Sequence, residues 1–548
     1  MSILPTHHEK LPESTALELT ELLASVPRPG SGISRNSSGA SFTSEQPRLT
    51  RRESEQLLGS NAFTPTVEES CIPLPLVPAL LQQLLHYTVD WALLHGMVVS
   101  LSERSKATLQ HVPFALLPTP FPASSFRVAV STQQQLNTLL LHTRTDKEFL
   151  ISSLAPLVDK DEFTNKLLRI FRAVENEGRA HNLSLSLHRS DFVLHLPTAA
   201  TFPDLRLASL QTMAVSFAAF GPLLTDMHRH VLSRFSLCVM QPGSIPVNAC
   251  LDNVVDIFAR ALAAYCSLCG LAGQSGAVSL LMVENAAEDP SALESRIIEH
   301  LLWDKHRIAV LRKTFAQVHQ ESDLRPDRSL HVDDREIGLV FYRTGSRLSD
   351  YTSASDWSAR LLLERSRAIN CPSVGDQLSG HRHIQHVLIQ PGVLESRVGA
   401  RLDAAAVGQL KGVFSSFHSL AKGGCDVALK LLGEAPDEYL LQTSLNFGGS
   451  LLNSDFADSL HTLPEDQRAY YVLVERARPP MCRNYSVQGG HVTLGNVVSE
   501  LGVFGAVLAD GDRPLDSRVL GHVLRTKMTD EDGGMSAGLA VLDSPFLS

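Results

Sequence analysis

From about Pro73 onward, apolar residues recur at helical spacing, with Leu76, Leu80, Leu81, Leu84 and Leu85 marking one face. The same three- and four-residue rhythm predicts further helices around 133–142, 160–176 and 251–268. Elsewhere the pattern shortens to alternation or to compact runs rich in branched residues. SLSLHRSDFVLHL (184–196), AVSLLMV (277–283), RIAVLRK (307–313) and EIGLVFYR (336–343) read as strands. Nearer the C-terminus, Asp426–Leu432 reads as helix, EYLLQTSLNFGG (438–449) as a strand entering a glycine turn, and YYVLVER (470–476) as a buried strand. Helices and strands alternate along the chain, which predicts an α/β architecture.

The first 70 or so residues break the pattern. GSGISRNSSGASFTSEQPRLTRRES (30–54) is rich in Ser, Gly and Arg and poor in branched apolars, so it reads as a disordered extension. Within it, Arg51-Arg52-Glu53-Ser54 has the form of a basophilic kinase site but reads more simply as a solvated charge cluster. Ala16–Val26 has the pattern of a short amphipathic docking helix.

With 548 residues, 44% hydrophobic and 19% charged, the chain has material for a large core, in roughly three to four domain-sized units by length. A net charge of -10 supplies no basic footprint, so nucleic acid is not an expected partner. The most apolar run, LPLVPALLQQLLHYTV (74–89), is interrupted by prolines and glutamines, so no membrane span is expected either. The start of the chain has no basic-then-apolar pattern, and a cytoplasmic location is expected. Eight scattered cysteines form no disulfide framework. Cys266 and Cys269 make a C-x-x-C, but they continue the stripe of Val254, Ile257, Phe258, Ala261, Leu262 and Tyr265. Both sulfurs are therefore read as facing the core, with no second pair to complete a zinc site.

The chemistry-bearing motifs crowd toward the end. SELGVFG (499–505), GHVLRTK (521–527) and DGGMSAGLAVLDSP (532–545) follow one another, after LHRSDF (187–192), MHRHVLS (227–233), FYRTG (341–345) and LLLERSRAINCP (361–372). Together these resemble eukaryotic glutathione synthetase, an ATP-grasp ligase that joins γ-glutamylcysteine to glycine. The resemblance covers nearly everything after about Cys71. It implies an ATP-grasp fold with a substrate-binding domain inserted at 275–370 between core segments 71–274 and 371–548. The latter would carry the lid, whose helix, strand, glycine loop, helix and strand match the order read above. It also implies Mg and ATP as family cofactors, and a homodimer. His228 and His230 belong to the resemblance as scaffold and not as metal ligands.

The resemblance assigns site positions one by one. Two metal ligands, Glu-x-Asn, fall on Ser209 and Gln211, and a third glutamate falls on Asn446. Alternation puts Ser209 and Gln211 on one strand face, while Asp204, five residues earlier, would point away in a continuous strand. No metal is therefore expected at these positions, which lack the carboxylates that offset a dication. The lysines that neutralise phosphate fall on Asn370 and Gln442, and the glycine loop is reduced to Phe447-Gly448-Gly449-Ser450. Ser346 and Glu284 replace a tyrosine and a glutamine. Arg189, Arg343 and Arg525 match carboxylate-binding arginines, and Ser216 matches a substrate-loop serine whose companion is Ala214. Met535 and Ser536 follow Gly533 and Gly534 in the closing loop, while Glu475, Arg476, Glu500 and Lys527 match nucleotide contacts. These assignments imply a catalytically degenerate relative that binds a γ-glutamylcysteine-like or glutathione-like ligand. It would act as a homodimer or as a heterodimer with an active synthetase. The alternative is an active glutathione synthetase with a rearranged Mg-ATP site.

Overall fold

The computed structural model describes residues 67–548 apart from 101–108, 197–201, 214, 239, 272–275, 277, 286–291, 416, 421–424, 436–437, 444–463, 465–467, 469–470 and 530–539. The expected N-terminal extension therefore lies outside the described residues, as do Ala214, Asn446, the glycine loop with Gly448 and Gly449, and Met535 and Ser536.

An eight-stranded sheet forms the frame. Four of its strands carry the site: β1 (Leu183–His195), β2 (Asp204–Gln211), β3 (His491–Asp510) and β4 (Arg513–Met528). The order runs Val67–Glu68, Met481–Gln488, Phe114–Ala115, Val541–Asp543, β4, β3, β1, β2, and Met481–Gln488 also pairs with the start of β3. Both faces are covered over part of their length, which explains the near-continuous burial of β1 and of the second half of β3. Helix Ala123–Thr145 covers one face, where His188 meets Asn137 at 2.8 Å. Gly505 permits this approach, because a Cβ there would lie 2.2 Å from Asn137 Oδ1. Helix Cys250–Leu268 belongs to the core on the other face, in one cluster with Leu185, Leu187 and Phe504.

A second, six-stranded sheet comes wholly from residues 278–371. Its strand Val278–Val283 is buried at every position and pairs in parallel with Val310–Lys313 and Arg335–Tyr342. A third sheet orders Phe417–Ser419, Tyr471–Glu475 and Tyr439–Thr443, with helix Cys425–Glu434 contributing Ala428 to a small core against it.

The expected helices are present as Pro78–Leu94, Ala123–Thr145, Glu162–Glu177 and Cys250–Leu268. Of the leucine stripe near the start, only Leu84 is fully buried, because the first of these helices packs at the edge of the core. Cys266 and Cys269 depart from expectation: the helix ends at Leu268, and both thiols are half-buried at its fraying end. Burial still pushes both thiols up, away from the reactive thiolate. No cluster of metal-ligating side chains exists among the described residues. His228 is buried scaffold, bonded to Ser544 Oγ at 2.6 Å and the Ala115 carbonyl at 2.8 Å, and His230 meets the Tyr87 hydroxyl at 2.8 Å. No helix among the described residues is long and apolar enough to cross a membrane.

Candidate functional site

Residues directly opposite each other in neighbouring strands share a face. Along β1, Arg189, Asp191 and Val193 stand opposite Gln211, Ser209 and Arg206 of β2, and opposite Phe504, Gly502 and Glu500 of β3. Glu500 in turn faces Arg525 of β4. Four strands thus bring a band of polar side chains onto one face, just beyond the part that packs on helix Cys250–Leu268.

Asp191 is the hub of this band and is fully buried. Arg189 Nε donates to its Oδ1 at 2.6 Å. Its Oδ2 accepts from Ser209 Oγ at 2.8 Å, Arg189 Nη2 at 3.0 Å and Arg525 Nη2 at 3.0 Å. Gly502 makes room, since a Cβ there would meet Arg189 Cδ at 2.8 Å and Asp191 Oδ1 at 2.9 Å. Burial pushes the Asp191 carboxyl up, but the guanidiniums of Arg189 and Arg525 outweigh it and hold the group at about 2. Arg525 also donates to Glu500. Arg343 joins the group through Glu294 at 3.3 Å and Ser216 Oγ at 3.3 Å, and Arg189 Nη1 reaches the Ser216 carbonyl at 2.9 Å. The structure therefore brings together Arg189, Ser216, Arg343 and Arg525, and adds Asp191 and Glu294 as unexpected partners. Asp191 had a sequence signal: two residues after Arg189 in a strand, it had to share that arginine's face. Glu294 lies on helix Ala292–His306 and had none.

The expected metal positions look different. Ser209 Oγ is committed to Asp191, and among the described residues Gln211 Nε2 reaches Ser209 Oγ, at 3.5 Å. The expectation that no carboxylate remains here needs correction, because Asp191 lies directly against Ser209. Yet both of its oxygens face cationic donors, and a divalent ion placed among them would meet two guanidiniums at contact distance. Among the described residues the donor set does not fit Mg²⁺. Asp204 also needs correction. Pairing shifts between Asp191–Ser209 and Phe192–Leu207, leaving Ala208 as an extra residue. This bulge reverses the alternation and turns Asp204 to the same face as Ser209. It remains four pairing steps away, roughly 13 Å, and lies 3.6 Å from Arg206.

Next to this band is a cavity of about 270 Å³ between the eight-stranded sheet and the three-stranded one. Val193, Leu207 and Val498 of the eight-stranded sheet and Leu440 and Val474 of the three-stranded sheet line it. Glu475, Glu500, Lys527 and Gln442 also line it, together with Arg382 from α1 (Arg382–Leu388). Two assigned residues lie elsewhere. Asn370 is buried with its amide turned inward, accepting from the Tyr342 hydroxyl at 2.7 Å and donating to the Leu363 carbonyl at 3.1 Å. It sits in the six-stranded sheet and does not line the cavity. A lysine at that position could extend past the backbone, whereas the shorter amide satisfies itself locally. Arg476 is exposed beyond the strand end and is not part of the lining. Arg382 was missed because nothing in its neighbourhood of histidines, HRHIQH (381–386), suggested a ligand contact.

Comparison with known proteins agrees with this architecture. The model of the family described as eukaryotic glutathione synthase, ATP binding domain, matches residues 78–547. The chain is 32% identical to glutathione synthetase of Xenopus laevis over 475 residues, covering 85% of this chain and 97% of that protein. It is 29% identical to the chloroplastic glutathione synthetase of Arabidopsis thaliana, covering 96% of each. Among solved structures, a glutathione synthetase-like effector from Globodera pallida in its apo form superposes with a TM-score of 0.70 at 22% identity, covering 87% of this chain and 100% of that one. With its ATP-grasp architecture and a match over most of its length, the chain belongs to the eukaryotic glutathione synthetase family.

Proposed function

We propose that this family member is catalytically degenerate and binds a γ-glutamyl thiol peptide without ligating it to glycine. The observation that carries the reading is the state of Ser209 and Asp191. The hydroxyl at the expected metal position is spent on a carboxylate that two arginines already neutralise. A ligase of this kind must transfer a phosphoryl group to a peptide carboxylate, and the transition state depends on preorganised positive charge. Losing one such contact typically costs on the order of 10²–10³ in rate, and here Ser209, Gln211 and Gln442 are all neutral while Asn370 faces inward.

The arginine cluster supports binding in the absence of catalysis. A peptide carboxylate would meet Arg189, Arg343 and Arg525 in competition with Asp191, Glu294 and Glu500, so binding is weak and sensitive to salt. A role in a homodimer, or in a heterodimer with an active synthetase, follows from the same reading, as does the division into an N-terminal extension, a core and an inserted substrate-binding domain. The test supplies γ-glutamylcysteine, glycine and Mg-ATP to the purified chain and measures ADP. The expected result is no turnover; a rate within tenfold of an ordinary synthetase would sink the proposal.

A further inference from the structure

The motif Cys266-Ser267-Leu268-Cys269 takes no part in the cleft described above. It closes helix Cys250–Leu268, with Cys269 as the capping residue at φ −89° and ψ 4°. Leu271 N donates to the Cys266 carbonyl at 2.8 Å and Gly270 N to the Ser267 carbonyl at 3.4 Å, while Gly270 adopts φ +70°. These bonds are those of a glycine-terminated helix end. Both thiols are half-buried there, so each stays open in part to a small reagent. Side chains three residues apart share a helix face, with Cβ atoms about 5–6 Å from each other. A disulfide holds them at about 3.5–4.5 Å. A 3₁₀ turn eclipses residues three apart, so winding this final turn tighter brings the two sulfurs together without disturbing the helix behind it.

The surroundings make the two thiols unequal. Tyr265 lies one turn before Cys269 on the same face. Its hydroxyl donates to Glu336 Oε1 at 2.6 Å and accepts from Arg367 Nε at 3.2 Å. Burial pushes both thiols up. At Cys269 the Arg367 guanidinium and then Tyr265 oppose that effect, whereas at Cys266 the neighbouring Cys269 and Glu336 add to it. A cation beside a sulfur favours the thiolate, which is the nucleophilic form. Cys269 is therefore the better attacker, and Cys266 the thiol that follows. The pair is remote from the arginine cluster, since Glu336 lies at the start of strand Arg335–Tyr342, seven residues before Arg343 and roughly 20 Å from it.

We propose that Cys266 and Cys269 form a redox dithiol that exchanges with a low-molecular-weight disulfide and is oxidised to an intramolecular disulfide. The Cys269 thiolate attacks one sulfur of the small disulfide, forming a mixed disulfide and expelling the other half as a thiolate. Cys266 releases its proton to solvent and attacks Cys269 Sγ, which closes the Cys266–Cys269 bond and expels the second half. Two electrons pass to the small disulfide, which leaves as two thiols once it takes up the two protons that the cysteines released. Burial keeps both cysteines mostly protonated at neutral pH, so exchange is slow there and quickens as pH rises. No residue of the cleft takes part, and the inference is independent of the reading of that cleft as inactive.

Glutathione disulfide is the probe. The full chain is incubated with it in the absence of air, quenched in acid, alkylated and digested with trypsin, which releases both cysteines in one peptide, Ala261–Arg296. Wild type should give this peptide two hydrogens lighter and without alkyl groups, and dithiothreitol should restore two alkylatable thiols. Cys266→Ser should trap one glutathionyl group on Cys269, while Cys269→Ser should leave Cys266 alkylated under the same conditions. The wild-type map needs no substitution, so it decides the proposal even if a variant folds poorly. Retention of both thiols under excess glutathione disulfide would overturn the proposal, as would a disulfide from either cysteine to Cys71 or Cys238. A glutathionyl group found on Cys266 in one variant and missing from Cys269 in the other would overturn the order of attack.

Discussion

The two ends of the cleft differ in how they hold charge. Around Asp191 three arginines each have an acidic partner: Arg189 with Asp191, Arg525 with Asp191 and Glu500, and Arg343 with Glu294. Toward the cavity Gln442 is neutral, and among the described residues the side-chain partner shown for Arg382 is that amide. A buried ion is tolerated when a fixed partner compensates it. Magnesium and triphosphate are transient partners, so an end built for them carries charges that are compensated only when they arrive. Serine and amides carry no such requirement, and Ser209, Asn370 and Gln442 each make a local hydrogen bond.

The sharpest way to break this comparison is to remove the hub. Asp191→Asn leaves Arg189 and Arg525 without their shared counter-charge and should destabilise the fold by about 3–5 kcal/mol, the usual cost of breaking a buried pair from one side. Urea unfolding measures it, and a loss under 1 kcal/mol would mean the pairing is not structural. The pH dependence has a definite sign. Asp191 is held near 2, below its ordinary 3.8, so its contribution is present above 3.8 and fades as pH falls toward 2.

Asp543 is the contrasting carboxylate in the same sheet. It accepts from Thr119 at 2.5 Å, Thr526 at 2.8 Å and the Ser544 amide at 2.7 Å, with no cation beside it among the described residues. Burial raises it to about 7. A raised folded value means the stabilising contribution is complete below about 3.8, its ordinary value, and is lost as pH rises through 7. At about 1.4 kcal/mol per unit, the effect reaches a few kcal/mol. Melting temperature should therefore fall from pH 6 to pH 8, and Asp543→Asn should flatten that slope. An unchanged slope in the variant would locate the titration elsewhere.

Arg525→Ala sharpens the comparison from the ligand's side. Binding to the native state raises the melting temperature with ligand concentration. Wild type should show this with millimolar γ-glutamylcysteine, and the variant should not. Because Arg525 also compensates Asp191 and Glu500, the variant should start less stable, by on the order of 2 kcal/mol or more. An equal ligand shift in both proteins would place the peptide elsewhere. The smallest effect is expected of Ser209→Ala, which removes one hydroxyl from Asp191 and should cost about 1 kcal/mol. Calorimetry with Mg-ATP should read the same for this variant as for wild type; a marked loss would show that Ser209 serves a metal after all.

The sequence by itself determined the α/β class, the principal helices and the family, because periodicity and motif order depend on local geometry and on residues close together in the chain. It also determined which arginines would gather, since Arg189, Arg343 and Arg525 sit in motifs that anchor strand register. Tertiary structure alone decided what those arginines touch. Glu294 reaches Arg343 from a helix 49 residues earlier in the chain, and no spacing rule links the two. The extra residue at Ala208 turned Asp204 around, because a bulge is set by pairing with the neighbouring strand and leaves no mark on alternation. Asn370 turned inward because the Tyr342 hydroxyl and two backbone carbonyls were within reach of its short amide. Arg382 became part of the cavity only when α1 and the small sheet closed around it. Local pattern specifies elements, whereas compensation of buried charge is settled by whichever groups the fold brings within about 3 Å of one another.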